Sequence, residues 1–250
     1  MGMFLNLGSP LAAELCGNAG FDWLVVDMEH GNVTDANVLQ MLQAISATPA
    51  SAVVRVEEGV RLRIGRALDW GAPNVMVPRV ETPVDAERIA SYMRYPPTGT
   101  RGVAMGTRSA GHGALRHGDF ATAHESLCLF LQVESQDAVE AVHDIASIDG
   151  VDVLFVGPSD LSHALGSAGD SSDPRFRTAV ARVGRAAADA GKAAGVLLWS
   201  IDELPMYVDA GYRLIALGSD SGYVASGARE ARRRLADSQP RQRPPTVSAI

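Results

Sequence analysis

The chain is 250 residues long, 46% of them hydrophobic, with a formal net charge of -7. That length and apolar content suit one large α/β domain, and the acidic balance argues against a general nucleic-acid or anionic-membrane surface. Two cysteines, Cys16 and Cys128, are too few for a disulfide framework; with no apolar run of membrane-spanning length and no signal-peptide pattern at Met1–Phe4, a cytoplasmic setting is expected.

Phe4–Leu7 is a predicted first strand, and Ser9 followed by Pro10 caps a helix running to about Gly20. Phe21–Asp27 is a second strand, leading through Met28, Glu29, His30 and Gly31 to a helix from about Thr34 to Ser46. Ala52–Arg55 is a third strand with arginine at its carboxyl end, and the helix after it, from about Val60 to Trp70, stops at Gly71. Asn74–Val77, before Pro78 and Arg79, is the fourth strand, and Val84 to Met93 the fourth helix. From Tyr95 to about Phe120 the chain is rich in Gly, Pro, Arg and His, too long for an ordinary connection, so a functional or oligomeric role is expected.

Two apolar runs that stop at carboxylates follow, Leu127–Glu134 and Val153–Val156 with Asp160 just beyond, separated by a helix from about Asp137 to Ile148. A helical turn over Leu161–Leu165, a helix over Pro174–Gly191, strands at Ala194–Leu198 and Leu214–Leu217, and helices over Ile201–Ala210 and about Tyr223–Leu235 complete the pattern. Eight strands, nearly all followed by a helix, predict a (β/α)8 TIM barrel over residues 1–237, with 238–250 a flexible tail. A doubly wound open sheet is the alternative, but no G-x-G-x-x-G follows the first strand to make it a dinucleotide fold.

In a barrel the carboxyl ends of the strands share the face where chemistry is placed. Here they carry Asp27 and His30, Arg55, Arg79, Glu134, and Ser159 with Asp160. Neighbouring strands lie about 5 Å apart, so one cation could reach both Glu134 and Asp160. An all-oxygen pair suits Mg2+ or Mn2+ and leaves positions for water or substrate. Of the 22 basic residues only Lys192 is a lysine, and it precedes the seventh strand, on the opposite face. A Schiff-base mechanism therefore lacks its amine, and a metal is the expected electron sink for carbonyl chemistry. Arg55 suits a developing oxyanion, the amides at Ser159 and Asp160 a substrate carboxylate, and His30 the general base. Plainer readings exist: Glu134 and Asp160 as helix caps, Asp27 and Arg55 as a structural ion pair, and His30 as a turn residue. The two carboxylates at neighbouring strand ends favour the functional reading.

At these residues the sequence resembles the HpcH/HpaI aldolase family of metal-dependent pyruvate aldolases. The matching segments are Gly20–His30, Val53–Arg55, Val75–Pro78, Arg94–Pro97 with Gly99 and Arg101–Val103, Gln132–Glu134 and Val156–Leu161. The resemblance implies a TIM barrel of the phosphoenolpyruvate/pyruvate-domain type, commonly a hexamer (a trimer of dimers) with the last helix exchanged between subunits. It implies Mg2+, Mn2+ or Co2+ at Glu134 and Asp160, Arg55 as substrate and oxyanion contact, Gln132 near the pyruvate, and His30 in the base system. Asp69 matches a family aspartate that pairs with the histidine across a subunit contact, so Asp27 and Asp69 are both candidates to orient His30.

Two departures stand out: this sequence opens almost at the first strand, where family members usually carry a helix, and Trp199 replaces a smaller residue beside the acceptor pocket. The implied activity is class II aldol addition of pyruvate enolate to an aldehyde. Alternatives are oxaloacetate decarboxylation through the same enolate, as in macrophomate-synthase-like relatives, a non-catalytic barrel, and a phosphate-sugar isomerase, the last suggested by Gly218–Ser219–Asp220 after the final strand.

Overall fold

The computed structural model describes residues 1–238. Eight parallel strands, β1 (Gly2–Leu5), β2 (Trp23–Asp27), β3 (Ser51–Arg55), β4 (Asn74–Val77), β5 (Cys128–Val133), β6 (Val153–Val156), β7 (Ala193–Leu198) and β8 (Leu214–Ser219), close into a barrel in sequence order. Around them run α1 (Pro10–Asn18), α2 (Asp35–Ser46), α3 (Arg61–Asp69), α4 (Pro83–Met93), α5 (Gln136–Glu140), α6 (Val142–Ser147), α7 (Pro158–Ala164), α8 (Pro174–Asp189), α9 (Leu204–Asp209) and α10 (Asp220–Ser238). The predicted TIM barrel is therefore present, and the open sheet is not.

Alternation along the strands divides the core in two. Leu24, Val26, Val54, Val75, Val77 and Leu131 face the helices, where they meet Met41, Ile64 and Ile89. Phe4, Trp23, Val25, Val53, Met76, Phe130 and Phe155 fill the barrel interior. Those rings demand small neighbours: a Cβ on Gly2 would lie 2.3 Å from the Trp23 ring, and one on Gly195 2.7 Å from Phe155. Carried two residues further, the same alternation turns Asp27, Arg55 and Gln132 inward above this apolar floor.

Several boundaries differ from expectation for identifiable reasons. The first strand is Gly2–Leu5 rather than Phe4–Leu7, because the amides of Asn6 and Leu7 are taken by the Asp220 carboxylate (2.7 and 3.3 Å) instead of by a neighbouring strand. The helix expected over Asp137–Ile148 is broken at Ala141, which sits at φ -88°, ψ 3° between α5 and α6. Ser9 caps α1 as its position suggested, its hydroxyl accepting from the Ala12 amide. The segment after α4 forms three 3-10 turns around its own small core of Tyr95, Ala110 and Phe120. Of the expected tail, residues 239–250 lie outside the described residues.

Replacing Gly195 with alanine should force the Phe155 ring aside and cost about 1–3 kcal/mol of stability; urea unfolding followed by circular dichroism measures the loss.

Candidate active site

Strand register builds the centre of the site. Asp27 and Arg55 are direct partners across β2 and β3, so their inward side chains meet. Arg55 donates from Nε to Asp27 Oδ1 (2.8 Å) and from Nη2 to Asp27 Oδ2 (2.7 Å), a forked pair buried at the top of the barrel. Beneath it the guanidinium lies 5.0 Å from the centre of the Phe4 ring. Asp27 Oδ1 also accepts the backbone amides of Glu29 and His30 (3.1 and 3.2 Å), which fixes the turn that carries the histidine.

Gln132 extends this network to the other side of the barrel. Its amide oxygen accepts from Arg55 Nη1 (3.4 Å) and its nitrogen donates to Glu134 Oε1 (2.6 Å). Glu134 Oε2 accepts the backbone amide of Arg79 (3.3 Å). The carboxylate lies directly over Gly157, where a Cβ would come 2.2 Å from Glu134 Oε1. Asp160 is in the first turn of α7, exposed, and faces the same space. A cavity of about 270 Å³ opens here, bordered by Arg55, Gln132, Glu134, Ser159, Asp160 and Trp199 over a floor of Phe4 and Phe155. A second, of about 170 Å³, adjoins it across His30, Glu134 and Asp160.

The electrostatics of this mouth are unbalanced. Burial, reinforced by the negative charges of Glu29 and Asp160, pushes the Glu134 carboxyl up to about 7, against the pull of Arg55 and the Arg79 amide. Burial raises Glu29 as well, in spite of Arg55 and His30. Arg55 stays charged: burial disfavours its cation, but Asp27, Glu29 and Glu134 outweigh that and hold its pKa above the ordinary value. Glu29 Oε2 lies 2.9 Å from Arg55 Nη1, yet off the N–H direction, so this buried oxygen accepts no hydrogen bond. Among the described residues, no three or more His, Cys, Asp or Glu side chains gather into a ready-made metal cage.

The structure thus brings together His30, Arg55, Asp27, Gln132, Glu134, Ser159 and Asp160 along one cavity. Neither aspartate considered for His30 touches its ring within this chain. Asp27 holds the histidine's backbone amide, and Asp69, at the last turn of α3 and so at the amino end of the barrel, meets Arg101 at 3.4 Å. The carboxylate near the imidazole is Glu29, 3.8 Å from Nε2. In the sequence Glu29 reads as part of a polar turn; the signal for its role is its place two residues after an inward-facing strand-end aspartate.

Lys192 stands at the amino end of β7, beside Arg94 and Asp149 in a separate cleft. The Gly218–Ser219–Asp220 turn is no phosphate loop, because the buried Asp220 carboxylate already takes the Asn6, Leu7 and Ser221 amides. No residue of the 95–127 segment borders either mouth cavity; it lies against Leu68, Ala72 and Pro73 near the amino end of β4.

The fold and the mouth define a TIM-barrel enzyme whose site sets one arginine among carboxylates, with no lysine within reach. More narrowly, the chain belongs to the HpcH/HpaI aldolase/citrate lyase family, whose model matches residues 1–227. It is 39% identical over 227 residues to a hydroxypyruvate/pyruvate aldolase of Delftia acidovorans, covering 91% of this chain and 84% of that one. It is 40% identical over 238 residues to a 4-hydroxy-2-oxovalerate aldolase of Novosphingobium aromaticivorans, covering 94% and 89%. A solved HpcH/HpaI aldolase/citrate lyase family protein from Burkholderia cenocepacia superposes with a TM-score of 0.89 at 40% identity, over 94% of this chain and 93% of that one.

Raising the Glu134 pKa from 4.5 in the unfolded chain to about 7 makes the folded, metal-free protein bind the extra proton. That stability is fully present below 4.5, falls as pH rises, and is gone above about 7, a swing of about 3 kcal/mol. EDTA-dialysed protein should therefore melt at higher temperature at pH 5.5 than at pH 8. Glu134→Gln should flatten the slope and raise the pH 8 melting temperature, as differential scanning calorimetry can check.

Proposed function

We propose that this chain is a divalent-metal-dependent class II aldolase, which adds the enolate of pyruvate or a close 2-oxo acid to an aldehyde and cleaves the resulting 4-hydroxy-2-oxo acid. The observation that carries the reading is a buried arginine facing the charge-frustrated Glu134 and Asp160 at a barrel mouth without lysine. The names of the relatives, a hydroxypyruvate/pyruvate aldolase and a 4-hydroxy-2-oxovalerate aldolase, support this carbon–carbon lyase chemistry.

The donor set fits a divalent cation. Asp27, Glu29, Glu134 and Asp160 gather about the Arg55 guanidinium, and the excess of negative charge shows in the Glu134 carboxyl, raised by burial and by Glu29 and Asp160. Glu134 and Asp160 would hold the ion, with water and substrate completing its shell; oxygen donors of this kind suit Mg2+ or Mn2+, and Co2+ is the further candidate. When bound, the ion supplies a Lewis acid for the negative charge that develops on the 2-oxo oxygen.

The protein's own groups do the rest. Asp27 and Gln132 take three of the five N–H groups of Arg55, leaving hydrogens on its terminal nitrogens for a substrate oxygen. The Ser159 and Asp160 amides, in the first turn of α7, orient the carboxylate. His30, 63% exposed with its backbone pinned by Asp27, moves the proton at the donor carbon and the new hydroxyl. Phe4, Phe155 and Leu197 keep the floor of the cavity dry.

An assembly, a hexamer in the family pattern, completes the site. Asp69 stands at the end of α3, away from His30 of its own chain, and α10 buries none of its side chains but Asp220, leaving Tyr223, Val224 and Leu235 exposed. Exchange of this helix between subunits would cover them. The setting is the cytoplasm, in keeping with two unpaired cysteines and no helix, among the described residues, long and apolar enough to cross a membrane.

EDTA should abolish retro-aldol cleavage and Mn2+ or Mg2+ restore it, while borohydride with pyruvate leaves the enzyme active; turnover indifferent to chelator overturns the mechanism. Arg55→Lys, which loses the forked geometry, should lower kcat about 100-fold or more. Placing Glu at both Val224 and Leu235 should shift the assembly to smaller species in analytical ultracentrifugation without unfolding the barrel.

A further inference from the structure

The chemistry at the mouth gives no role to the long segment after α4, yet that segment encloses a cavity of its own. It folds back on the end of α3 and the amino end of β4, leaving between them a space of about 420 Å³ that shares no lining residue with the mouth. Leu68 and Ala72 of the barrel form one part of its wall and Leu115 and Leu127 of the segment another, and Tyr95 and Arg101 complete it.

This apolar space borders a cation that the fold does not fully satisfy. Arg101 is 3% exposed, and its guanidinium lies 4.4 Å from the centre of the Tyr95 ring. Nη2 donates to Ser109 Oγ (3.0 Å) and, at a long 3.4 Å, to Asp69 Oδ1. Nε is buried without an acceptor, and Nη1 donates to nothing among the described residues. Unspent donors on a buried charge are costly and rare in native folds, so they mark a place for an acceptor that the chain does not supply. Asp69 is engaged only at Nη2. Asp119, the carboxylate in the cavity wall, is exposed and accepts the Arg116 amide (2.6 Å).

The same features select among ligands. A cation would be repelled by Arg101, and a neutral molecule would offer its donors only a weak partner. A dianion such as phosphate would set two charges against one guanidinium, with Asp69 and Asp119 close by. One carboxylate on an apolar body suits both the free donors and the walls. We infer that this cavity binds a small monocarboxylic acid with an aliphatic or aromatic body, its carboxylate on Arg101 and its body among Leu68, Ala72, Leu115 and Leu127. The site is separate from the reaction at the mouth, and building its outer wall is the function of the segment after α4.

Isothermal titration calorimetry of the full chain, with pyruvate and Mn2+ present to occupy the mouth, tests this with three probes. Benzamide keeps the ring of benzoate and loses its charge; acetate keeps the charge and loses the ring. Benzoate should bind about tenfold more tightly than either. Arg101→Met should reduce benzoate to the level of benzamide, and Ala123→Phe, which narrows the cavity and leaves the arginine in place, should weaken benzoate about tenfold. Circular dichroism identifies a variant that fails to fold, in which case the wild-type probes and the other variant decide. Benzoate that binds only when pyruvate is absent, that binds no more tightly than benzamide, or that keeps its affinity in either folded variant overturns the site.

Discussion

A guanidinium and a carboxylate set side by side by strand register, Arg55 and Asp27, determine most of what lies above the barrel floor. Burying two charges is expensive, and a buried pair is tolerated when its geometry is good and its remaining hydrogen-bonding groups are satisfied. Both conditions hold. The contact is forked, and Asp27 spends its remaining capacity on the Asn6 side chain and on the amides of Glu29 and His30. Arg55 in turn orients Gln132, which holds Glu134. One ion pair therefore positions groups from β1, from the turn after β2, and from β5. Removing either partner would strand the other in the interior at a cost of about 3–5 kcal/mol.

Outside that pair the site is at odds with the stability of the fold. Glu29, Glu134 and Asp160 repel one another, and Glu134 is buried enough that its carboxyl rises to about 7. A barrel selected for stability alone would place apolar residues or an extra arginine there. Strain and excess charge at one mouth, above a floor packed without complaint, are the pattern of a surface shaped by what it binds. Gly157 belongs to the same compromise, since only a residue without a side chain lets the Glu134 carboxylate lie where it does.

The barrel and most of its mouth could be read in the sequence because both follow from a period of two. Apolar runs ending at Asp27, Arg55 and Glu134 announce strands that point a functional group at the axis. What could not be read depends on contacts between distant segments. Glu29 looks like any polar turn residue until β3 brings Arg55 beside it. Asp220 suggests an anion loop by its Gly-Ser-Asp context, yet the closure of β8 on β1 delivers two free amides to it and makes it a structural clamp. Nothing in the run Gln136–Ser147, which has neither Gly nor Pro, marks the break at Ala141. Asp69 was legible only as a match to a pattern, because helix direction takes it to the far end of the barrel from the histidine it was expected to serve.

That distance carries a physical consequence. In a closed barrel each strand's outer face must be covered by a helix, and β8 is covered poorly: Ile215 and Leu217 are half-buried, and α10 leaves the barrel with its apolar side chains in the open. On α1, Leu11 and Leu15 are more than half exposed as well. These surfaces flank the strand where chain closure occurs, so a helix supplied by a second copy would satisfy them all at once. A chain whose mouth carries excess negative charge and whose last strand is under-covered has, on both counts, surfaces that its own fold leaves unsatisfied.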